Sequence, residues 1–260
     1  MGNLIKMDLY RMRKGKTLLI TLLIAVVISF AQTPVLKLLS MLMNFLGGSD
    51  SSAPDLFPAT ATLASFFRNP FPLIVGMLVL ISASNFFFAD LANGYIKNIA
   101  GQMPKRGYTV LSKFIAILPH NLLFMVLCVL ANLAGSIIFQ KITPGADLAS
   151  AIGTFFLKML LMQAVCAILL FVTTALRNKS LSTVVAVLVG LGLLGLVYLS
   201  IDSLIGQVFK TDFSFFETYM PDQLLSEDAP KALDSILSSL VTGGLFLLLA
   251  INVFDRRDVK

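Results

Sequence analysis

Six apolar stretches of 19 to 26 residues hold only one permanently charged side chain between them, Lys158. Hydrocarbon about 30 Å thick is crossed by a helix of about 20 residues rising ~1.5 Å each. The stretches therefore predict transmembrane helices over 17–36, 71–89, 114–139, 152–176, 181–199 and 236–254. Lipid offers no partner to an exposed backbone N–H or C=O, so each run must satisfy itself as a helix. The expected fold is all-α: a polytopic membrane protein with residues 1–260 as a single transmembrane domain. At 57 % hydrophobic and 13 % charged residues, with a mean hydropathy of +0.88, the chain lacks the polar exterior of a soluble domain.

Lys and Arg in the connections set orientation. Fourteen of the 20 basic residues fall in the N-terminal segment, the connections after spans two and four, and the C-terminus; six fall elsewhere. The first group is expected to be cytoplasmic, with both termini inside. Ten of the 14 acidic residues fall on the opposite side, where they solvate loops or attract cationic substrates. The net charge of +6 sits in short blocks beside apolar stretches, a pattern of topology signals and lipid head-group contacts, with no nucleic-acid partner expected. Lys6 to Lys16 followed by an apolar run and Ser29 and Ala31 also describes a signal peptide. Its length, Asp8 and the odd span number left by cleavage favour a retained segment.

The connections carry the remaining organisation. Residues 1–16 group Leu4, Ile5, Leu9 and Met12 near one side of a helix, opposite Lys6, Arg13 and Lys14, which predicts an interfacial helix on the inner leaflet. Between spans two and three, Tyr95, Ile96 and Ile99 share a helical face while Lys97 and Asn98 point elsewhere, and Gly101, Pro104 and Gly107 follow. This predicts a short cytoplasmic helix offering an apolar knob to a soluble partner, or a loop whose apolar residues touch lipid. The outer connections, 37–70 and 200–235, are too long to be structureless; 35–46 and 213–225 are expected to form short helices that rest on the leaflet or cap a pathway.

Equipment for chemistry is sparse. Glutamate occurs only at 217 and 227, His120 is the single histidine, and no paired acids, HExxH or Gly-x-Ser-x-Gly arrangement exists. Gly15-Lys16-Thr17 ends like a phosphate-binding loop, but Tyr10 occupies the position of its first glycine. No catalytic residue, metal site or cofactor site is assigned, and any nucleotide must be held by another chain. Cys128 and Cys166 lie in apolar runs and imply neither a disulfide framework nor a metal cluster. His120 reads as a packed or hydrogen-bonded residue beside Pro119, or as a proton relay. Lys158 reads as a snorkelling cation, or as a substrate contact. Asn85, Asn132 and Gln163 bond across helices or line a pathway, and Ala131-x3-Gly135 and Ala186-x3-Gly190 permit close helix approach. A pathway this apolar suits amphipathic or lipid-like cargo better than ions or sugars.

The pattern resembles the type-2 ATP-binding cassette permeases, particularly the small six-span bacterial ones associated with peptide or lantibiotic export and self-protection against antimicrobials. The likeness rests on the basic start Lys6 to Lys16, on Asp90-x3-Gly94-Tyr-Ile-Lys97-Asn98 continuing through Lys105-Arg106-Gly107-Tyr108 to Ser112-Lys113, and on Phe254-Asp-Arg-Arg-Asp258. It implies a permease subunit in a bacterial cytoplasmic membrane, paired with a second permease as homodimer or heterodimer and with a cytoplasmic ATPase that binds ATP and Mg. The docking element would be a coupling helix from Gly94 to Gly101, with Tyr95, Ile96 and Ile99 as apolar contacts and Lys97 and Arg106 as polar ones. An ion-driven secondary transporter and a non-transporting membrane anchor are the alternative readings.

Overall fold

The computed structural model describes residues 2–47, 60–70, 73–92, 107–145, 147–210 and 214–256. Helices dominate: α1 (Gly2–Lys14), α2 (Lys16–Gly47), α3 (Leu63–Arg68), α4 (Leu73–Ala92), α5 (Gly107–Phe139), α6 (Leu148–Leu176), α7 (Lys179–Gly190), α8 (Leu194–Phe209), α9 (Phe215–Tyr219), α10 (Pro221–Ser226) and α11 (Ala232–Arg256). Two three-residue strands, β1 (Thr60–Thr62) and β2 (Lys141–Thr143), pair in parallel with Ala61 opposite Ile142. Among the described residues α2, α5, α6 and α11 are each long and apolar enough to cross a bilayer, and the bent pair α7–α8 is a fifth if it counts as one span. Helix α4 is shorter in its apolar part, Ile74–Ala89.

Burial ranks the helices. Of the most apolar stretch of α6, 61 % is buried, against 39 % for α5 and 17 % for α2 and α11, so α6 is the central post and the last two face outward. Around it pack α11, α5, α4, α7 and the short outer helices α3 and α10. Phe124, Ile117, Met162, Val165 and Leu169 fill the middle of the core. A buried side chain in this setting gains from close packing and not from escape from lipid, since lipid tails are as apolar as leucine.

Small residues set two crossings. Pro34 lies inside α2 and has no N–H for the Phe30 carbonyl one turn back. That carbonyl rests against Gly135 of α5, where an added Cβ would collide with it. In the second crossing, a Cβ on Gly190 would come within 2.5 Å of the Met77 Cα, so α7 rides directly on the α4 backbone.

Two expectations are corrected. The run 181–199 is not one straight helix: α7 ends at Gly190, Gly192 takes φ +70°, and α8 leaves at 77°. Three glycines at 190, 192 and 195 remove the side-chain cost of that break. Residues 35–46 are not a separate outer helix; they continue α2 without interruption. The 213–225 segment does contain short helices, α9 and α10. The α6–α7 turn is tight: Arg177 ends α6 at φ 50°, and the Asn178 side chain caps α7 by accepting from the Ser180 and Leu181 amides.

Candidate functional site

At one end of the bundle the N-terminal helix, the start of α5 and the end of α11 converge. Helix α1 is distinct from α2, broken at Gly15, and buries Leu4, Asp8 and Met12. Leu9, expected on the apolar face, is exposed, and the buried stripe carries a carboxylate: Asp8 Oδ2 accepts from Ser112 Oγ at 2.5 Å. The first amide of α5, on Gly107, donates to Asp255 Oδ1 at 2.7 Å, which caps the helix with charge of the favoured sign. Lys113, grouped by sequence with the soluble connection, is buried. Its Nζ donates to the Phe86 and Phe87 carbonyls of α4, each at 3.3 Å, and lies 5.1 Å from the Phe86 ring centre. The segment 93–106 leaves and returns between these tied ends. Gly94, Tyr95, Ile96, Lys97, Ile99 and Arg106 lie outside the described residues.

A cavity of about 250 Å³ sits beside this end, walled by Arg11 and Thr17 with Ser82, Asn85 and Phe86 of α4. Asn85 therefore lines a space between α1, α2 and α4.

A polar chain crosses the middle. The Thr21 hydroxyl donates to Ser82 Oγ at 3.4 Å, Ser82 Oγ meets His120 Nε2 at 3.2 Å, and His120 Nδ1 meets Asn121 Oδ1 at 3.3 Å. Asn121 Nδ2 donates to Gln163 Oε1 at 3.2 Å, and Gln163 Nε2 to the Phe114 carbonyl at 2.6 Å. Pro119 deprives the neighbouring Ile115 carbonyl of its helical donor, so this turn of α5 is open to side-chain bonds. His120 and Gln163, both singled out by sequence, are thus joined through Asn121, which was not; its adjacency to His120 was the available signal. Asn132 belongs elsewhere: it bonds Gln32 and Thr33 of α2 at 3.3 and 3.4 Å, beside Gly135.

Toward the opposite end lies a cavity of about 230 Å³ at the α7–α8 break. Leu80, Met162, Val165 and Val189 are part of its apolar wall; Lys158, Asn69, Asp222 and Ser226 are its polar lining. Lys158 does not snorkel: it is 2 % exposed, and its Nζ donates to Asn69 Oδ1 at 3.1 Å, whose Nδ2 donates to Asp228 Oδ1 at 2.8 Å. Asp222 is 8 % exposed. Its Oδ2 accepts from Gln223 Nε2 at 3.2 Å, while Oδ1 has no partner among the described residues. Burial pushes the Asp222 carboxyl above the ordinary carboxylate range, with hydrogen bonds from Gln223 and the Tyr198 hydroxyl pulling the other way. Nearby, Asp202 accepts from the Phe216 and Glu217 amides at 3.1 and 2.8 Å and so holds α9 to α8. Asn69 and Asp222 fall in the outer connections 37–70 and 200–235, and nothing in their spacing marks them.

Fold and side-chain placement together define a helical membrane protein with a polar chain through its middle and a charged cavity near one end. No family model matches the chain, and no curated protein matches it.

Proposed function

We propose that this chain is the non-catalytic permease subunit of a bacterial ATP-binding cassette exporter, moving amphipathic or hydrophobic cargo such as a peptide, antimicrobial or lipid-like molecule. The observation that carries the reading is the tied end of the bundle. Lys113 joins α4 to α5, Asp8–Ser112 joins α1 to α5, and Gly107–Asp255 joins α11 to α5. A push on the segment 93–106 therefore reaches four helices as one body. Such a lever suits a pump whose ATP and Mg are held by a separate cytoplasmic ATPase, with a second permease subunit completing the pathway by rocking between two packings.

Chain parity supports six crossings. Helix α6 ends near the tied end, α10 lies by the far cavity, and α11 returns to Asp255, so α7 and α8 together make the intervening crossing. In this reading the tied end is cytoplasmic, both termini are inside, and α1 lies on the inner leaflet.

Co-expression with each soluble cassette ATPase of the same genome tests the proposal. One ATPase should co-purify with the chain, and Tyr95→Asp with Ile99→Asp should abolish the association and the cargo export. Undiminished association and export would refute the docking assignment. A second reading, ion-coupled transport, draws on the α7–α8 break beside two buried charges; gradient-driven, ATP-independent uptake into vesicles would establish it in place of the first.

A further inference from the structure

Two opposite charges line the cavity at the α7–α8 break, and neither is neutralised by the other. Lys158 is 2 % exposed and Asp222 8 % exposed; among the described residues Lys158 has no carboxylate within ion-pair distance, its Nζ being held by the neutral amide oxygen of Asn69, while Asp228 and Glu227 act on it from farther away. Among the described residues Asp222 Oδ1 has no partner within hydrogen-bond distance, the Tyr198 hydroxyl lying close enough only to act on the carboxyl as a whole. A buried charge is costly unless it is paired and its hydrogen-bonding capacity is used. Here an ammonium with unused donors and a carboxylate with an unused acceptor share one space of about 230 Å³. That space is far larger than one water needs and smaller than the usual drug-sized pocket. Apart from Asn69 and Ser226, the rest of its wall is apolar or glycine.

We infer that this cavity binds a zwitterion with a small apolar body, its anionic group taken by Lys158 and its N–H-bearing ammonium by the free oxygen of Asp222. Charge-assisted hydrogen bonds at both ends give strength and direction, and Leu80, Met162, Val165 and Val189 accept the apolar part. An anion alone would leave Asp222 unsatisfied, and a cation alone would be repelled by Lys158, so both charges are required of the ligand. A free apolar amino acid and the ethanolamine headgroup of a phospholipid share this chemistry. At the break in α7–α8, Gly190 and Gly192 put backbone without side chains on the cavity wall. The inference does not depend on ATPase coupling and stands or falls separately from it.

The full-length chain in phosphatidylcholine nanodiscs tests it. One arm titrates L-leucine, leucinamide, which lacks the carboxylate, and leucine betaine, which lacks N–H donors, by calorimetry. The other replaces part of the phosphatidylcholine by phosphatidylethanolamine and counts retained lipid by native mass spectrometry. Saturable binding of leucine assigns a free zwitterion; selective retention of the ethanolamine lipid assigns a headgroup. In the first case leucinamide and the betaine should bind at least tenfold more weakly, and in either case Lys158→Gln and Asp222→Asn should each weaken binding at least tenfold. If those variants fail to fold, the ligand series on the native chain decides. Absence of both leucine binding and ethanolamine-lipid selectivity, or equal binding of leucine, leucinamide and betaine, overturns the inference.

Discussion

Gly190→Ala is expected to destabilise the bundle although alanine is the better helix former. The φ of Gly190 is not in the left-handed region, so only space opposes a side chain. An added Cβ would sit 2.5 Å from the Met77 Cα, 2.9 Å from its Cβ and 3.1 Å from its backbone N. Ordinary carbon contacts lie at about 3.5–4.0 Å, so α7 and α4 must part by about 1 Å, and backbone atoms cannot rotate out of the way. Overpacking of this kind costs about 1–3 kcal/mol. The gain in helix propensity is at most about 1 kcal/mol, and less at the last residue of α7. The net loss should be about 1–2 kcal/mol, read as a fall of roughly 2–8 °C in the apparent Tm of the purified chain. Gly244→Ala in α11 is the control, because nothing lies within 4 Å of its added Cβ; it should be neutral or mildly stabilising. Equal melting of the two variants would refute the α4–α7 crossing.

Further outcomes follow from the polar contacts. Asp202→Ala should release α9, costing about 1–2 kcal/mol locally by analogy with loss of a helix cap and speeding hydrogen exchange at the Phe216 and Glu217 amides. Asp8→Ala and Ser112→Ala should show a coupling of about 1.5–3 kcal/mol in a double-mutant cycle, the worth of a hydrogen bond to a charged group. Asp222 titrates above the ordinary carboxylate range, so the fold favours its neutral form. That contribution is fully present below about pH 4 and is lost as pH rises through the raised value. Melting of the ligand-free chain should fall across this window, and Asp222→Asn should flatten the slope.

Much of this was legible because hydropathy and length speak directly to lipid. Each apolar run contains or overlaps helices, and the 1–16 amphipathic pattern holds a separate helix, Gly2–Lys14, broken from α2 at Gly15. Local signals stopped short where burial overrides polarity. Lys113 counts by sequence as a connection charge and Asp8 as part of a retained start, yet tertiary contacts with α4 and α5 bury both. The small-residue pattern ending at Gly190 does pack against Met77, and Gly195 sits close against the Gln223 side chain, but Gly192 instead breaks the helix. Strands of three residues have too few side chains for an alternation to register. Lys158 was recognised as an intruder, but its partner Asn69 is 89 positions away, and Asp222 lies on a different element; only the fold brings them to one cavity. The docking element from Gly94 to Gly101, with Arg106, is read from sequence alone.

Which side of the membrane residue 97 occupies tests the account most directly. With Lys97→Cys in the native chain, whose own Cys128 and Cys166 are buried, a membrane-impermeant maleimide should label inverted vesicles and leave intact cells unlabelled. Labelling of intact cells would place the segment outside, beyond reach of any cytoplasmic ATPase, and contradict the account.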